Sequence, residues 1–476
     1  MALRRVPVLL AAAAVAAAGF AAGVLLRRAD PPRPDIVVLL WDTTRADRLS
    51  AFGYARKTTP WLESLAARGI LFEQCRAPSP WTLPSHASLF TGLLPRRHGA
   101  LSLREPLLPF HETLAERLAA SGYDTVLVSN NPVVGPQGGL DQGFGTVVSV
   151  PDRKGGQGVD RTREALEDVL AGRKNDPGRS RRPLFLFVNL MEPHLPYDPP
   201  EAIERPWRPE GATDEAVRAA RGVRFPDDMA HNLGVRPLPP ETLAILSSLY
   251  DAEIGALDDG CARIEGLLRR EGVLDPADGG YLFAATSDHG ENLGEHGLVD
   301  HKLSVAETLL RVPLVIHSPG RFQGGRRVPD AVRLQDLFPT LLEAAGVGYD
   351  AGAIPHAQPL GAVTPGGRVQ VAEFPAPLSF IDDMRRTFPG RPEETFEPFR
   401  RGILAVIGTP SGGRRLKWVR TTRDDGAGGR TVLGESLFDL ETDPGETRDL
   451  LAGPGATAAD RESAARLAAT AEAWTE

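Results

Sequence analysis

Largely apolar runs alternate with amphipathic segments along roughly the first 350 residues of the chain. Runs without a polar face are typical of strands buried on both sides of a sheet, and they occur at Ile36–Leu40, Thr125–Ser129, Pro183–Leu190, Tyr281–Thr286 and Val312–His317. Helical spacing lies between the runs and predicts helices over 60–69, 84–92, Glu112–Ala120, Leu243–Arg270 and Leu334–Ala345. This order predicts an α/β fold with a mostly parallel central sheet covered by helices on both faces.

The pattern changes after about residue 350. Short strand-like segments separated by Gly-rich turns predict a smaller antiparallel C-terminal subdomain, at Val369–Glu373, Gly402–Ile407, Leu416–Arg420 and Ser436–Leu440. The predicted organisation is therefore 1–34 as an N-terminal segment, 35–350 as the main α/β domain, and 351–476 as the C-terminal subdomain and tail. Residues 199–240 are rich in Pro, Arg and Asp with little periodicity, and we interpret them as a surface insertion over one edge of the site.

The N-terminal segment has the pattern of an export signal or membrane anchor. An apolar run, Val6–Leu26, lies between the pairs Arg4-Arg5 and Arg27-Arg28 and is long enough to span a bilayer. A cleaved signal peptide is the alternative, although such peptides have a shorter apolar region. Both interpretations place the body of the protein outside the cytoplasm, and the anchor would tether it to the membrane.

Charge and cysteine content narrow the class of protein further. The formal net charge of −8 and the lack of a strongly basic stretch argue against a nucleic-acid partner. The two cysteines, Cys75 and Cys261, cannot build a disulfide framework, and the sequence leaves open whether they pair.

Chemistry-bearing residues follow the predicted strands. Asp42 comes directly after the first strand, and Asp288 and His289 come after the fourth. Ligands of open α/β sheets bind beyond the carboxyl ends of the strands, so these side chains are candidates for one divalent metal site. The candidate ions for this site are Ca²⁺, Zn²⁺ and Mn²⁺.

The stretch TLPSHASLFTG, residues 82–92, opens a predicted helix at Pro84. Thr82 just before it has two possible roles. Its hydroxyl could cap the helix, or it could face a ligand bound at the positive end of the helix.

Several blocks of the sequence, in order, resemble the sulfatase family of the alkaline-phosphatase superfamily. They are VVLLWDTTRADRLSAFGYARKTTPWL, TLPSHASLFTG, GLDQGF, LFLFVNLMEPHLPY, SDHGENLGEHG, LRVPLVIHSPG and LFDLETDPGETRDL, and they cover about residues 35–450. The resemblance implies that Asp42, Asp288 and His289 hold the metal and that the substrate is a sulfate or phosphate ester.

The same resemblance assigns further roles. It implies that His194, in the PH pair, and Lys302, which with Glu307 matches a GK-x-x-x-x-E block, contact the substrate oxyanion as catalytic residues. His301 and His86 are then substrate-binding candidates. Glu291, Glu295 and His296 lie in a charged loop after Asp288, and we expect them to be solvated or, at most, to support residues that contact the ligand.

Two departures from the family pattern concern the nucleophile. Typical sulfatases read C-x-P-S-R at the turn where this chain reads Thr82-Leu83-Pro84-Ser85-His86, so the Cys that becomes formylglycine and the Arg are both absent. The family's GK-x-H segment is missing as well, and Ser129-Asn130-Asn131 stands where it would be. The combination of Asp42, Thr82, Asp288 and His289 is also similar to the site of phosphoethanolamine transferases, which use a Thr nucleophile.

Three functions follow as alternatives. The first is a metal-dependent hydrolase of sulfate or phosphate esters with Thr82 as nucleophile. The second is an anchored phosphotransferase that acts on envelope lipid or glycan. The third is a sulfatase-like binding protein without catalysis.

Overall fold

The alternating burial of the first strand shows how the sequence determines the architecture. In the computed structural model, Val37 and Leu39 face one apolar core while Ile36, Val38 and Leu40 face another, all fully buried. A strand whose successive side chains all need cover must lie in the middle of a three-layer structure. The structure describes residues 33–151, 158–277, 280–363, 368–410, 413–426 and 428–475.

The strands, in chain order, have the following bounds: β1 Asp35–Trp41, β2 Ile70–Arg76, β3 Asp124–Ser129, β4 Thr146–Ser149, β5 Leu184–Leu190, β6 Tyr281–Ser287, β7 Asn292–Leu293, β8 Val299–Asp300, β9 Arg311–Val312, β10 Leu314–His317, β11 Arg326–Arg333, β12 Gln370–Phe374, β13 Arg401–Gly408, β14 Leu416–Asp424 and β15 Arg430–Asp439.

The α-helices are α1 Pro60–Arg68, α2 Thr82–Thr91, α3 Pro95–His98, α4 Leu114–Ala120, α5 Gly158–Lys174, α6 Pro177–Ser180, α7 Glu201–Glu204, α8 Asp214–Arg221, α9 Asp227–Asn232, α10 Pro240–Arg270, α11 Glu307–Leu310, α12 Leu337–Ala344, α13 Ile381–Thr387 and α14 Ala458–Thr475.

The central sheet has the order β11-β2-β10-β6-β1-β5-β3-β4, with β9 beside β2. Its pairs are parallel except those made by β9 and β10. Helices α1, α5 and α10 cover one face, and α2, α4 and α12 cover the other. The predicted fold class is confirmed, while β2, β4 and β11 were missed and the predicted strand Val312–His317 is divided into β9 and β10.

A second sheet, antiparallel with the order β12-β13-β14-β15, forms the predicted C-terminal part. Helix α14 packs on it through Ala464, Leu467 and Ala471. The proposed insertion, 199–240, contains the short helices α7, α8 and α9. Its weak periodicity had not predicted these helices. In α8, Val217 and Ala220 are buried in the core beneath the long helix α10.

The structure shows the state of the two cysteines and which described helices could span a membrane. Cys75 and Cys261 are buried free thiols in different cores, so they do not pair with each other. Within the described ranges, no helix is both long and apolar enough to cross a membrane. The predicted anchor, Val6–Leu26, lies outside the described residues.

A buried lysine ties the second sheet to the central one. Lys417 of β14 is fully buried, with its Nζ 2.7 Å from Glu446 Oε1 and 3.6 Å from Glu307 Oε1. The same ammonium donates a hydrogen bond to the carbonyl of Val305, which precedes α11. The contacts from β14 to α11 therefore depend on one buried ammonium that pairs with Glu446 and shares Glu307 with Arg76.

We predict that Lys417→Met lowers the free energy of unfolding by about 3 kcal/mol, because Glu307 and Glu446 lose their shared buried cation. Denaturant unfolding measures the difference. Lys57→Met is the matched control, since Lys57 is 68% exposed and its removal costs less than about 0.5 kcal/mol. Equal effects of the two changes would contradict the structural role of Lys417.

Candidate functional site

The parallel pairing of β1 with β6 brings two carboxylates to one edge of the sheet. The register places Trp41 beside Ser287, so the next residues, Asp42 and Asp288, leave the sheet together. Both side chains are fully buried. The predicted convergence of these two strand ends is what the structure shows.

Each carboxylate uses one oxygen for hydrogen bonds and leaves the other free. Asp288 Oδ1 accepts from the backbone N–H groups of Thr43, at 3.2 Å, and His289, at 2.9 Å. Asp42 Oδ2 accepts from Asn131 Nδ2 at 2.6 Å. Asp42 Oδ1 and Asp288 Oδ2 have no hydrogen-bond partner among the described residues. Buried carboxylate oxygens without donors fit a site that holds a cation.

His289 completes this set with a neutral nitrogen. Its Nδ1 lies 2.9 Å from the Gly290 carbonyl, to which it donates, so Nε2 presents a lone pair. Nε2 lies 3.3 Å from Asp288 Oδ2 and 3.9 Å from Asp42 Oδ1. Burial lowers the pKa of His289 to about 3, in spite of Asp288. Two oxygens and one nitrogen within 4.8 Å of one another could hold a divalent metal ion.

The two carboxylates have very different proton affinities. Burial, and then the charge of Asp288, raise the pKa of Asp42 to about 7. Burial also raises the pKa of Asp288, but His289 and His86 outweigh it and lower that pKa to about 2. A second negative charge beside Asp288 is thus unfavourable until a cation compensates it.

The hydroxyl of Thr82 faces this cluster. Helix α2 begins at Thr82, two residues before the predicted Pro84, and its N-cap residue is Trp81. The interpretation of Thr82 as the helix cap is therefore wrong. Its Oγ1 lies 3.4 Å from His289 Nε2, at a helix N-terminus whose first backbone N–H groups have no acceptor within the helix.

His86 lies behind Asp288 on the next turn of α2. Its Nδ1 is 2.9 Å from the Thr82 carbonyl oxygen and 3.4 Å from Asp288 Oδ2. Its Nε2 is 3.0 Å from Asn189 Oδ1. The ring is fully buried and contacts protein groups through both nitrogens. This position supports Thr82 and Asp288 from beneath.

Two further histidines lie beside the metal-site candidates. The His301 ring centroid is 4.5 Å from that of His289 and 5.0 Å from that of His194. His194 Nδ1 lies 2.6 Å from the Leu195 carbonyl, to which it donates, and burial together with His301 lowers the His194 pKa. His194 is therefore a neutral imidazole whose Nε2 can accept a proton.

A second buried cluster, centred on Asp300, holds the predicted cationic residues. His301 Nδ1 is 2.5 Å from Asp300 Oδ1 and 3.3 Å from Glu291 Oε1. Burial lowers the pKa of His301, but these two carboxylates outweigh burial and raise it to about 10. Lys302 ion-pairs with the other Asp300 oxygen. Glu291 is fully buried and not solvated, and its contact with His301 fits the alternative in which it supports a site residue.

Lys302 and Glu307 match one block of the family pattern, but in the structure they form ion pairs with different residues. Glu307 Oε2 lies 2.6 Å from Arg76 Nη2 and belongs to the Lys417 network, whereas Lys302 pairs with Asp300. The sequence assigned no role to Asp300, and it gave Asn131 none beyond its place at the missing GK-x-H segment. Asn131 could have been found because it follows the end of β3, by the rule that identified Asp42.

Comparisons with known proteins identify the family of this chain. The family model described as Sulfatase matches residues 34–347. The chain belongs to the sulfatase family. It is 22% identical to an arylsulfatase of Clostridium perfringens, with 66% of this chain and 75% of that protein aligned. It is 24% identical to the multifunctional alkaline phosphatase superfamily protein PehA of Trinickia caryophylli, with 91% and 94% aligned.

The solved structures share the fold. The phosphonate monoester hydrolase of Agrobacterium radiobacter superimposes with a TM-score of 0.68 at 21% identity, covering 93% of this chain and 96% of that one. The phosphonate monoester hydrolase of Silicibacter pomeroyi gives 0.65 at 19% identity, covering 93% and 95%. This sulfatase-family chain is thus a sulfatase-like hydrolase, and the comparisons give no support to the non-catalytic alternative.

We predict that Asp288→Asn reduces bound divalent metal from about one ion per chain to a small fraction, because the free Oδ2 charge is lost. Elemental analysis of purified protein measures the content. Asp258→Asn is the matched control: Asp258 is also a buried aspartate, but it accepts from the first N–H groups of α1. Equal metal content in Asp288→Asn and Asp258→Asn would contradict the assignment.

Proposed function

We propose that this sulfatase-family chain is a metal-dependent hydrolase of sulfate or phosphate esters that uses the hydroxyl of Thr82, not formylglycine, as its nucleophile. The observation that carries the proposal is the position of Thr82 Oγ1, 3.4 Å from His289 Nε2 at the N-terminus of α2. This position requires no oxidised residue, and the chain has Thr where formylglycine would form.

The metal would be held by Asp42 Oδ1, Asp288 Oδ2 and His289 Nε2. When bound, a divalent cation supplies Lewis acidity toward the anionic group of the ester. The mixture of carboxylate oxygens with an imidazole nitrogen favours Zn²⁺ or Mn²⁺ over Ca²⁺. Asn131 and the backbone of Thr43 keep the free oxygens turned toward this point.

The reaction would proceed in two displacements. In the first, Thr82 Oγ bonds to sulfur or phosphorus, the bond to the ester oxygen breaks, and the hydroxyl proton passes to the departing alcohol. In the second, water bonds to the same atom and the bond to Thr82 breaks. His194 Nε2, an acceptor in the neutral ring, can take the proton of water and return it to Thr82 Oγ.

The cationic side of the site would stabilise the transferring group. His301 carries a positive charge at neutral pH, with Nδ1 held by Asp300 and Glu291, so its Nε2–H is available to an anionic oxygen. Lys302, held by Asp300, adds a second cation. We assign His86 a positioning role toward Thr82 and Asp288, in place of the direct substrate contact expected from the sequence.

Phosphorus esters are included in the proposal beside sulfate esters. The support is the similarity to two phosphonate monoester hydrolases and to a multifunctional alkaline phosphatase superfamily protein. Transfer to an acceptor other than water would share the first displacement and differ only in the second.

We expect Thr82→Ala to reduce turnover by at least about a thousandfold in a folded, metal-loaded protein, because the covalent step is lost. Thr82→Ser should retain measurable turnover, since it keeps a hydroxyl at the same atom. A screen of aryl sulfate, phosphate monoester and phosphodiester substrates provides the assay. Thr82→Ala with near wild-type turnover would exclude Thr82 as the nucleophile.

We further propose an extracytoplasmic, membrane-anchored location, on the basis of Val6–Leu26 and its flanking arginines. One of the similar proteins is, by name, an extracellular sulfatase homolog of Drosophila melanogaster. Cell fractionation with N-terminal sequencing should find an intact N-terminus in the membrane fraction. A soluble exported protein would show a cleaved signal instead, and a cytoplasmic protein would refute export.

A further inference from the structure

An apolar cavity of about 340 Å³ adjoins the candidate site. Its walls carry large apolar side chains: Trp81, Phe225, Met229, Phe374, Phe380 and Phe399. A concave, mostly apolar site of this size with a few polar groups is the usual form of a pocket for an organic ligand.

The cavity borders the candidate site at Trp81 and Lys302. Trp81, in its wall, directly precedes Thr82, and Lys302 lies in the wall as well. Lys302 pairs with Asp300, which also holds His301 against the ring of His289. The organic group of an ester whose anionic part contacts Lys302 would therefore extend into this cavity.

The apolar side chains come from parts of the chain that are far apart. Phe225 and Met229 belong to the 199–240 segment, and Phe374, Phe380 and Phe399 belong to the C-terminal part. Phe225 is 55% exposed and Phe380 is 37% exposed. Large aromatic side chains exposed around one opening indicate a surface that binds an apolar partner.

The adjoining cavity, of about 570 Å³, has a different character. The two cavities share wall residues that include Phe374, Asp424 and Arg430, and the wall of the second cavity also contains Arg96 and Arg420. Arg96 Nε lies 2.6 Å from Glu373 Oε1 and Arg420 Nε lies 2.9 Å from Glu435 Oε1, so acidic partners already compensate these guanidinium groups. The apolar cavity is therefore the better match for the organic part of the ester.

From these contacts we infer that the substrate is an ester of an apolar alcohol or phenol larger than a single ring, and that its organic group binds between Phe225, Met229 and Phe380. The inference rests on the proposed function and names the substrate class of that site. The wall also contains charged residues, Glu105, Lys302, Asp424 and Arg430. A polyanionic sugar bound against Phe225, Met229 and Phe380 would nevertheless leave hydroxyl and charged groups there without hydrogen-bond partners.

The test compares kcat/KM for naphthyl and methyl esters of whichever acid, sulfuric or phosphoric, the protein hydrolyses. In the double variant Phe225→Ala/Phe380→Ala, the naphthyl-to-methyl ratio should fall about tenfold, because much of the buried apolar contact is lost. Phe110→Ala is the matched control, since Phe110 is 74% exposed and does not line the cavity, and it should leave the ratio unchanged. A ratio that is the same in the double variant and in Phe110→Ala would overturn the inference.

A binding measurement keeps this test separate from the proposed function. Calorimetry with naphthalenesulfonate and methanesulfonate, which are not hydrolysed, should show tighter binding of the naphthyl compound to the full chain. That preference should decrease about tenfold in the double variant. If no ester is hydrolysed, the proposed function fails while a lost preference still supports the cavity assignment. An unchanged preference refutes the assignment whatever the activity.

Discussion

Two buried carboxylates that cannot both be negative without compensation are the constraint on which the site depends. The register of β1 against β6 forces Asp42 and Asp288 together, and each keeps one oxygen without a donor among the described residues. Coulomb repulsion in such surroundings is strong, so the arrangement is stable with a cation or with a shared proton. The neutral nitrogen of His289 beside them favours a cation.

The other charges of the site can be understood from the same constraint. Asp300, a third buried carboxylate, lies later in the chain. Its negative charge is compensated by two side chains of the protein, His301 and Lys302. One half of the site therefore offers oxygens to a cation, and the other half offers cations to an oxyanion. Thr82 lies at the metal-facing half, at the positive end of α2, where a nucleophile toward an anionic ester needs to be.

The sequence predicted the central strands of the sheet and the convergence of Asp42, Asp288 and His289 because both depend on simple local patterns. Buried central strands are continuous apolar runs, and the residue after each strand end reaches the ligand-binding edge. It did not predict β2, whose alternation is interrupted by Glu73 and Gln74, or the helices in 199–240. It also could not place Glu291 and Asp300, since burial of a loop carboxylate depends on partners such as His301 that only the folded chain brings near.

The central claim is that Thr82 carries the transferred group during turnover. The most direct measurement uses a naphthyl ester with a good leaving group, quenches the reaction during steady-state turnover, and determines the mass of the peptide that contains Thr82. The account predicts a burst of released naphthol and a Thr82 peptide heavier by one sulfuryl or phosphoryl group. Release of naphthol without a burst, with the Thr82 peptide unmodified, would contradict it.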